Sequence, residues 1–246
     1  MTTTIDAVIL AAGKGTRMKS DLPKVLHELA GRPLLDHVMD TSAAAGIDRM
    51  VVVVGHKAEL VEETCGRPGI EFVLQEPQLG TGHAVQMAVP ALRKGGYCVV
   101  LAGDVPLLRT ETLKRLVDGT VNSGASAVVL TCVVADAGAY GRIIKDEQGH
   151  VQKIVEAVDA SPEELAVGEY NTGVFCFKTE KLIEALGNLK TDNKQGEYYL
   201  TDTVAWLVQQ GQPVEAVITE DPDEVIGINT VDELAGAADL LARRDS

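Results

Sequence analysis

The sequence has little positive charge for its length. Its 246 residues contain 22 lysines and arginines against 36 aspartates and glutamates, which gives a formal net charge of −14. A chain with this balance repels polyanions and anionic membrane surfaces. It also has no local run of basic residues of the kind that marks a nucleic-acid-binding face. Neither nucleic acid nor a membrane is therefore expected as a partner.

Long apolar segments are also missing. No apolar run approaches the roughly 18 residues that span a bilayer. The first residues also lack the charged segment followed by an apolar segment that is typical of a signal peptide. The four cysteines lie far apart, with neither a CxxC pair nor the spacing of metal ligands, which favours buried free thiols in a reducing compartment. With 46% hydrophobic residues and no internal repeat, the sequence predicts a soluble, cytoplasmic, globular protein.

Short apolar runs alternate with longer amphipathic stretches through the first half of the chain. This alternation is typical of an α/β fold of the doubly wound type, in which helices cover a mostly parallel sheet. The predicted strands are Ala7–Leu10, Arg49–Val54, Glu71–Leu74 and Tyr97–Ala102. The predicted helices are Leu34–Ala45, Lys57–Glu63, Gly82–Leu92 and Thr110–Val121, the last with Thr110 as its N-cap.

The second half of the chain has a different pattern, with strands and few intervening helices. Strands are predicted over Ala125–Val133, Gly141–Lys145, Val151–Val155 and Gly173–Phe177. Helices are predicted over Thr201–Gln210 and Val231–Arg243. We therefore expect a single domain over residues 1–246, with an antiparallel lobe inserted in the mostly parallel sheet.

The first predicted strand leads directly into a glycine-rich turn, whose sequence from residue 11 is AAGKGTRM. Open α/β sheets bind ligands at this carboxyl edge, and paired glycines let backbone amides approach a phosphate. The spacing fits neither a P-loop, because Gly15 follows Lys14, nor a dinucleotide fingerprint, because Met18 replaces the third glycine. Three cations, Lys14, Arg17 and Lys24, suit a triphosphate or a sugar phosphate. A tight turn with solvated basic residues is the alternative.

Two polar residues follow the ends of other predicted strands. Asp104 comes one glycine after Tyr97–Ala102, so its carboxylate should emerge at the same sheet edge, where a hard oxygen beside phosphates is typical of a magnesium site. The sequence Gly-Asp-Val-Pro is also typical of a turn, so a turn-forming role of Asp104 is the alternative to metal binding. Gln75 follows Glu71–Leu74, and its amide offers both a donor and an acceptor to the edge of a base.

Taken in order, these segments resemble the sugar-1-phosphate nucleotidylyltransferases, and most closely the bacterial N-acetylglucosamine-1-phosphate uridylyltransferase family. The similarity spans nearly the whole chain, from LAAGKGTRM and PKVLHELAGRPLL near its start to IGIN at residue 226. Between them lie LQEPQLGTGHA, AGDVPL, YGRI, IVE, EYNTG and QGEYYLTD. The resemblance implies Mg²⁺-dependent transfer of a uridylyl group from UTP to N-acetylglucosamine-1-phosphate, in the synthesis of cell-wall precursors.

The resemblance also implies roles for individual residues. Arg17 and Lys24 are expected to be catalytic, and Asp104 and Asn229 are expected to hold the metal. The expected nucleotide-binding residues are Leu10, Ala11, Ala12, Gly13, Gly15, Gln75, Gly80, Thr81 and Gly103. The expected sugar-binding residues are Gly141, Glu156, Asn171 and Tyr199, with Tyr198 and Thr201 nearby. The domain is thus expected to have a nucleotide-binding part to about residue 133, a sugar-binding part over about 134–229 and a closing helix over about 231–243.

Structural alternatives remain for some of these residues. Thr81 lies where a helix cap would, and His83 is expected to be an ordinary structural histidine. An ion pair of Glu156 with Arg142 or Lys153 across a hairpin is the alternative to sugar binding.

Three features depart from the family pattern. Ala102 stands where many relatives have Tyr before Gly-Asp, and Val158 stands where many have Lys after Ile-Val-Glu. The chain ends at Ser246, where the best-known relatives continue into a β-helix that acetylates glucosamine-1-phosphate. We therefore expect a monofunctional uridylyltransferase, whose oligomeric state the sequence leaves open.

Two other functions fit the same segments. One is transfer of a different nucleotide, or transfer to a different sugar phosphate, on the same fold. The other is a catalytically silent relative that binds nucleotide sugars. The joint presence of Arg17, Lys24, Asp104 and Asn229 argues against a silent relative.

Overall fold

A nine-stranded sheet forms the centre of the computed structural model, which describes residues 3–244. The strands in chain order are β1 (Ile5–Ala11), β2 (Glu28–Leu29), β3 (Arg32–Pro33), β4 (Arg49–Val54), β5 (Ile70–Leu74), β6 (Tyr97–Ala102), β7 (Ala127–Val133), β8 (Arg142–Lys145), β9 (Val151–Val155), β10 (Glu169–Lys178) and β11 (Val214–Thr219). The main sheet has the order β5-β4-β1-β6-β10-β7-β11, while β2 and β3 form a separate ribbon. Only the pairs made by β10 are antiparallel along this order, and β8 and β9 add an antiparallel hairpin to it. The predicted mostly parallel sheet with an antiparallel insertion is confirmed.

Helices lie between most of the strands. They are α1 (Leu34–Ala44), α2 (Ala58–Cys65), α3 (Thr81–Ala88), α4 (Thr110–Ser123), α5 (Pro162–Leu165), α6 (Thr179–Leu186), α7 (Asp202–Gln209) and α8 (Val231–Arg244). Short 3₁₀ turns occur at Thr16–Met18, Lys24–Leu26, Val89–Ala91 and Pro222–Val225. Within residues 3–244 no helix has the length and apolar character needed to cross a membrane.

The helices cover both faces of the sheet, as a doubly wound fold requires. Successive side chains of a strand point to opposite faces. Accordingly, Ala7 and Ile9 of β1 pack in one core with α1, α2 and α4, and Val8 packs in the other with α3, α6 and α7. All three side chains are fully buried, which explains why this strand is uniformly apolar.

The order of the strands creates a switch point beside β1. This strand pairs with β4 on one side and with β6 on the other, so the winding direction reverses after β5. Open α/β sheets bind ligands in the crevice outside the carboxyl ends of the strands at such a point. The glycine-rich turn follows β1 and Asp104 follows β6, so both lie at this crevice, as the sequence predicted.

Most of the predicted bounds are close to those observed, and β4, β6 and β9 begin and end at the predicted residues. Helix α3 ends at Ala88 and not at Leu92, because Pro90 cannot continue an α-helix and a 3₁₀ turn follows instead. Thr110 is the first residue of α4 and not its N-cap. The N-cap is Arg109, and no side chain caps this helix.

The second half contains more regular structure than the sequence predicted. Helix α6, strand β11 and the short α5 were not expected there, and β10 begins at Glu169 and not at Gly173. In the first half, the short β2 and β3 were not expected either. The start of β10 is polar and passes through a bulge, but the Thr172 hydroxyl donates to the Leu130 carbonyl oxygen at 2.7 Å and so is satisfied within the sheet. Strand β11 lies at the sheet edge and buries only its two end residues, which gives a weak hydrophobic pattern.

Candidate active site

The glycine-rich turn folds back against the segment that carries Lys24. Gly15 has a φ of +61°, and a side chain there would place its Cβ 2.7 Å from the Lys24 Cβ. Only glycine combines this left-handed conformation with so close an approach. After Gly15 the chain makes a 3₁₀ turn that buries Met18. Gly15 therefore shapes the site by letting the turn pack on Lys24.

A cavity of about 420 Å³ lies between this turn and the start of α3. It is lined by Leu10, Ala11, Ala12, Gly13, Lys14, Lys24, Val25, Gln75, Gln78, Gly80, Thr81, Ala84, Ala102, Asp104 and Glu197. We call it the nucleotide-side cavity, because all but two of the residues predicted to bind nucleotide line it. The exceptions are Gly15, which packs on Lys24, and Gly103, whose N–H donates to the Leu10 carbonyl oxygen at 2.9 Å.

Gln75 is buried in the wall of this cavity. Its Nε2 donates to the Gly80 carbonyl oxygen at 3.0 Å and lies 3.1 Å from His83 Nδ1, so both amide hydrogens are used within the protein. His83 has the structural role that the sequence predicted. The sequence predicted that the Gln75 amide offers a ligand both a donor and an acceptor, and in this structure its Oε1 atom is the one that remains free of these bonds.

The start of α3 is tied to the segment at residues 198–200. Gly80 has a φ of +107°, and a Cβ there would lie 2.6 Å from the Tyr198 carbonyl oxygen. The Thr81 hydroxyl accepts a hydrogen bond from the Leu200 N–H at 3.1 Å. Gly80 is the N-cap of α3 and no side chain caps it, so the helix-cap role considered for Thr81 is not observed.

Three polar groups meet beyond the end of β6. The Lys24 ammonium forms an ion pair with the Asp104 carboxylate, and its Nζ donates to Asn229 Oδ1 at 2.8 Å. A carboxylate oxygen and an amide oxygen that converge on one cation are the hard ligands that a divalent metal takes. The residues present therefore fit the metal site predicted for Asp104 and Asn229. The turn that the sequence offered as the alternative is also present, because Gly103 and Asp104 lie in a turn closed by the bond from the Val105 N–H to the Ala102 carbonyl oxygen at 3.4 Å. Within residues 3–244 the Asp104 carboxylate takes no part in it and pairs with Lys24.

The orientation of Asn229 is fixed by its neighbours. Its Nδ2 donates to the Gly227 carbonyl oxygen at 2.9 Å, which leaves Oδ1 facing Lys24 and Asp104. The backbone N–H groups of Asn229 and Thr230 donate to Glu233 Oε2, in the first turn of α8, at 2.6 and 3.0 Å. Among residues 3–244 there is no group of three or more His, Cys, Asp or Glu side chains that could hold a metal. Magnesium needs only one or two protein ligands beside its waters and phosphates, which this pair would provide.

A second cavity, of about 480 Å³, lies on the other side of Asp104. It is lined by Arg17, Ala102, Asp104, Val105, Ala139, Tyr140, Gly141, Glu156, Asn171, Thr172, Gly173, Val225, Gly227, Asn229 and Glu233. We call it the sugar-side cavity, because Gly141, Glu156 and Asn171 were predicted to bind the sugar. Tyr199 does not line it. The Tyr199 hydroxyl lies 3.0 Å from Asp159 Oδ2 and 2.7 Å from Gln195 Oε1, and burial raises its pKa.

Glu156 lies in the wall of the sugar-side cavity and forms no ion pair with any residue from 3 to 244. Its Oε1 accepts a hydrogen bond from the Thr201 hydroxyl at 2.9 Å. The alternative ion pairs are not observed, because the guanidinium of Arg142 donates to backbone carbonyls and Lys153 pairs with Glu164. Burial raises the pKa of Glu156, the Thr201 hydrogen bond opposes this, and the nearby charges of Asp202 and Asp159 raise it further. Such perturbed groups concentrate at functional sites.

Replacing Glu156 with glutamine should raise the melting temperature at pH 7 to 8. The folded state holds this carboxyl at a pKa above its unfolded value, so stability is lost as the pH rises through the folded pKa. Glutamine does not ionise, and the gain should vanish below about pH 4, where glutamate is protonated in both states. Calorimetric melts across this range measure the difference, with Glu63→Gln on the exposed face of α2 as the control. Equal melting temperatures for Glu156→Gln and the wild type at pH 8 would contradict the expectation.

Sequence reasoning missed two residues that support the site, Glu224 behind it and Tyr140 in the wall of the sugar-side cavity. Glu224 is only 2% exposed, and its carboxylate accepts from Arg109 N at 3.2 Å, Thr112 Oγ1 at 2.9 Å and the Thr219 hydroxyl. It anchors the turn that precedes Asn229. Tyr140 packs on Tyr170 with ring centroids 4.7 Å apart, and its hydroxyl accepts from the Gly227 N–H at 3.4 Å. No local pattern marks either residue, because most of their partners, such as Arg109 and Thr112 for Glu224 and Gly227 for Tyr140, come from distant parts of the chain.

Comparison with known proteins agrees with this architecture. Residues 7–139, just over half of the chain, match the MobA-like NTP transferase domain. The chain is 49% identical over 239 residues to the bifunctional protein GlmU of Exiguobacterium sibiricum, a match that covers 97% of this chain and 53% of that protein. It is 50% identical over 231 residues to the bifunctional protein GlmU of Burkholderia mallei, covering 94% of this chain and 51% of that protein. The chain thus spans about half the length of these curated relatives.

A solved structure shares the fold over nearly the full length of both chains. It is a crystal structure of UDP-glucose pyrophosphorylase complexed with UDP-glucose, with a TM-score of 0.79 and 17% identity, and the match covers 98% of this chain and 99% of that one. At this identity the likeness shows the fold alone. The family match covers β1, the glycine-rich turn, Gln75 and Asp104, and it shows that this chain belongs to the MobA-like NTP transferase domain family.

Proposed function

We propose that this chain transfers the uridylyl group of UTP to N-acetylglucosamine-1-phosphate, forming UDP-N-acetylglucosamine and releasing pyrophosphate. The observation that carries the proposal is the position of Asp104, which lines both cavities and faces Asn229. A nucleotide in one cavity and a sugar phosphate in the other would meet at this carboxylate. The similarity to proteins named bifunctional protein GlmU and the family's NTP transferase domain support the reaction class.

The nucleotide-side cavity favours a uracil base. Both hydrogens of the Gln75 amide are used by Gly80 and His83, so Oε1 is the atom left to accept from a ligand. Uracil has an N3–H donor that suits such an acceptor, whereas cytosine has an acceptor at the same ring position. A buried acceptor without a donor is costly, and the site should therefore discriminate against CTP.

The sugar-side cavity offers polar groups to an N-acetylated sugar. Glu156 provides carboxylate oxygens, and Asn171 provides an amide whose Oδ1 already accepts from the Gly173 N–H at 3.0 Å. Its Nδ2 is left to donate to a sugar oxygen or to the acetyl carbonyl. The cation at this cavity is Arg17, which is exposed and makes no side-chain hydrogen bond or ion pair within residues 3–244.

The chemistry needs no general base. An oxygen of the sugar phosphate is already anionic, so it forms a new bond to the α-phosphorus of UTP in line while the bond to pyrophosphate breaks. The residues of this chain would act by holding the two phosphates in line and by neutralising their charge. Arg17 would serve the sugar phosphate, and Lys24 the nucleotide phosphates. We propose Mg²⁺ as the ion that Asp104 and Asn229 would hold, and it would supply further charge neutralisation.

Product identification tests the proposed function. The protein is incubated with Mg²⁺ and either UTP or CTP, and with either N-acetylglucosamine-1-phosphate or glucose-1-phosphate. Mass spectrometry of the nucleotide sugar and an assay of pyrophosphate follow each pair. We expect UDP-N-acetylglucosamine as the main product. Absence of turnover with every pair would overturn the proposal in favour of a silent binding protein, and preference for another pair would reassign the substrate.

The preference for the N-acetylated sugar should depend on Asn171. Glucose-1-phosphate leaves groups of the cavity unpaired, so its kcat/KM should be lower than that of N-acetylglucosamine-1-phosphate by roughly 100-fold or more. In Asn171→Ala this ratio should shrink, because the amide that distinguishes the sugars is gone. Asn122→Ala, on the exposed face of α4, is the matched control and should keep the ratio. Equal kcat/KM for the two sugars in the unchanged protein would refute the selectivity even if transfer itself occurs.

A further inference from the structure

The Lys24 ammonium occupies the gap between the two groups proposed to hold the metal. It pairs with the Asp104 carboxylate and donates to Asn229 Oδ1 at 2.8 Å, although 205 residues separate Lys24 from Asn229 in the chain. The side chains of Lys24 and Asp104 are each only 16% exposed. A divalent ion bound to the same two oxygens would lie where this ammonium lies. Both cations cannot be accommodated there, because they would repel at contact distance in a partly buried site.

The position of the ammonium is built into the local structure. The Lys24 backbone lies in a 3₁₀ turn anchored by the buried Val25 and Leu26, and its Cβ packs against Gly15. On the other side, the bond from Asn229 Nδ2 to the Gly227 carbonyl oxygen keeps Oδ1 turned toward Lys24. The side chain beyond Cβ is the part that can move. Lys24 also lines the nucleotide-side cavity with Gly13 and Lys14, so phosphate groups bound there would be within its reach.

We infer that Lys24 competes with the divalent metal for Asp104 and Asn229, and that nucleotide phosphate relieves this competition by giving the ammonium another partner. This inference rests on the metal site of the proposed function. As a consequence, the free protein should bind the metal weakly, and the metal and the nucleotide should bind cooperatively. Such coupling is reciprocal, so the nucleotide increases the affinity for the metal by the same factor as the metal increases the affinity for the nucleotide.

Metal binding to the free protein tests the inference without any catalytic readout. The affinity for Mn²⁺ is measured by electron paramagnetic resonance, and that for Mg²⁺ by calorimetry, with the wild type and with Lys24→Met. Removing the ammonium leaves the partly buried Asp104 charge without its partner and opens the gap. Lys24→Met should therefore bind either ion more tightly by about fivefold or more, within the usual range of coupling between sites. Lys14→Met, which removes a cation from the same cavity but not from this gap, should change the affinity much less.

The coupling with nucleotide gives a second measurement. The probe is a UTP analogue with a methylene group between its α- and β-phosphates, which binds without reacting. In the wild type it should increase the Mn²⁺ affinity strongly, and in Lys24→Met this increase should be smaller, because the competition is already absent. Lys24→Gln, which is also neutral but keeps a polar end, should change the metal affinity in the same direction. Circular dichroism and thermal melts check that each variant is folded.

Two results would overturn the inference, and they differ in what else they affect. If Asp104→Asn removes metal binding while Lys24→Met binds metal no more tightly than the wild type, the metal site stands and the competition does not occur. If Asp104→Asn leaves metal binding unchanged in the Lys24→Met background, the ion binds elsewhere. The competition then fails together with the metal site of the proposed function.

Discussion

Replacing Asp104 with alanine should abolish metal-dependent turnover while the protein stays folded. Asp104 lines both cavities, and its carboxylate is the only full negative charge in the cluster with Lys24 and Asn229. Its loss would remove the stronger of the two proposed metal ligands, and loss of a metal that stabilises transition-state charge costs several kcal/mol, or about a thousandfold or more in rate. The fold should survive, because the structural bond of this residue, from the Ile228 N–H to the Asp104 carbonyl oxygen at 2.9 Å, belongs to the backbone.

The measurement is the rate of pyrophosphate release from UTP and N-acetylglucosamine-1-phosphate at saturating Mg²⁺. Asp118→Ala, at an exposed position of α4, removes the same charge far from the cavities and should keep near wild-type activity. A melting curve for each variant separates loss of function from loss of structure. Near wild-type turnover by Asp104→Ala would end the assignment of this residue to the metal.

Replacing Arg17 with alanine should lower kcat by about 100-fold or more, the effect of removing one preorganised electrostatic group. Arg17 lines the sugar-side cavity, and within residues 3–244 its guanidinium has no ion-pair partner. A cation that is not used by the protein is available to a phosphate. Arg17→Lys should restore activity only in part, because an ammonium cannot reproduce the planar fork that holds two phosphate oxygens.

Steady-state kinetics with each substrate varied in turn distinguish the proposed role from simple binding. A lower kcat indicates an interaction made in the transition state, whereas a higher KM at constant kcat would mean that Arg17 binds substrate and transition state equally. The latter result would contradict the prediction. Arg115→Ala, which removes an exposed arginine from α4, controls for the change in net charge.

Lys24 differs from Arg17, although Arg17 lies in the glycine-rich turn and Lys24 follows only a few residues after it. Arg17 is exposed and has no partner within residues 3–244, whereas Lys24 is partly buried and bound to Asp104 and Asn229. The two side chains should therefore respond differently to the metal. Mutation of Arg17 should leave the Mn²⁺ affinity of the free protein nearly unchanged, in contrast to mutation of Lys24.

The sequence by itself determined the α/β class, most of the strands and the position of the candidate site. Strands such as β4 and β6 are uniformly apolar because both their faces are buried. Such an unbroken run of apolar residues can be recognised in the sequence alone. The turn after β1 is likewise local, since its glycines and cations lie within a few residues of each other. Elements whose pattern is weak, such as the edge strand β11 and the polar start of β10, could not be found in this way.

Only the tertiary structure decided which polar groups are available to a ligand. Gln75 keeps a single free acceptor because Gly80 and His83 take its two hydrogens. The Tyr199 hydroxyl bonds to Asp159 and Gln195, and the residue does not line the sugar-side cavity. The ammonium of Lys24 lies between Asp104 and Asn229 because the sheet brings three distant segments to one edge. Hydrogen bonds and ion pairs between residues far apart in the chain depend on packing, which a sequence pattern of neighbouring residues does not contain.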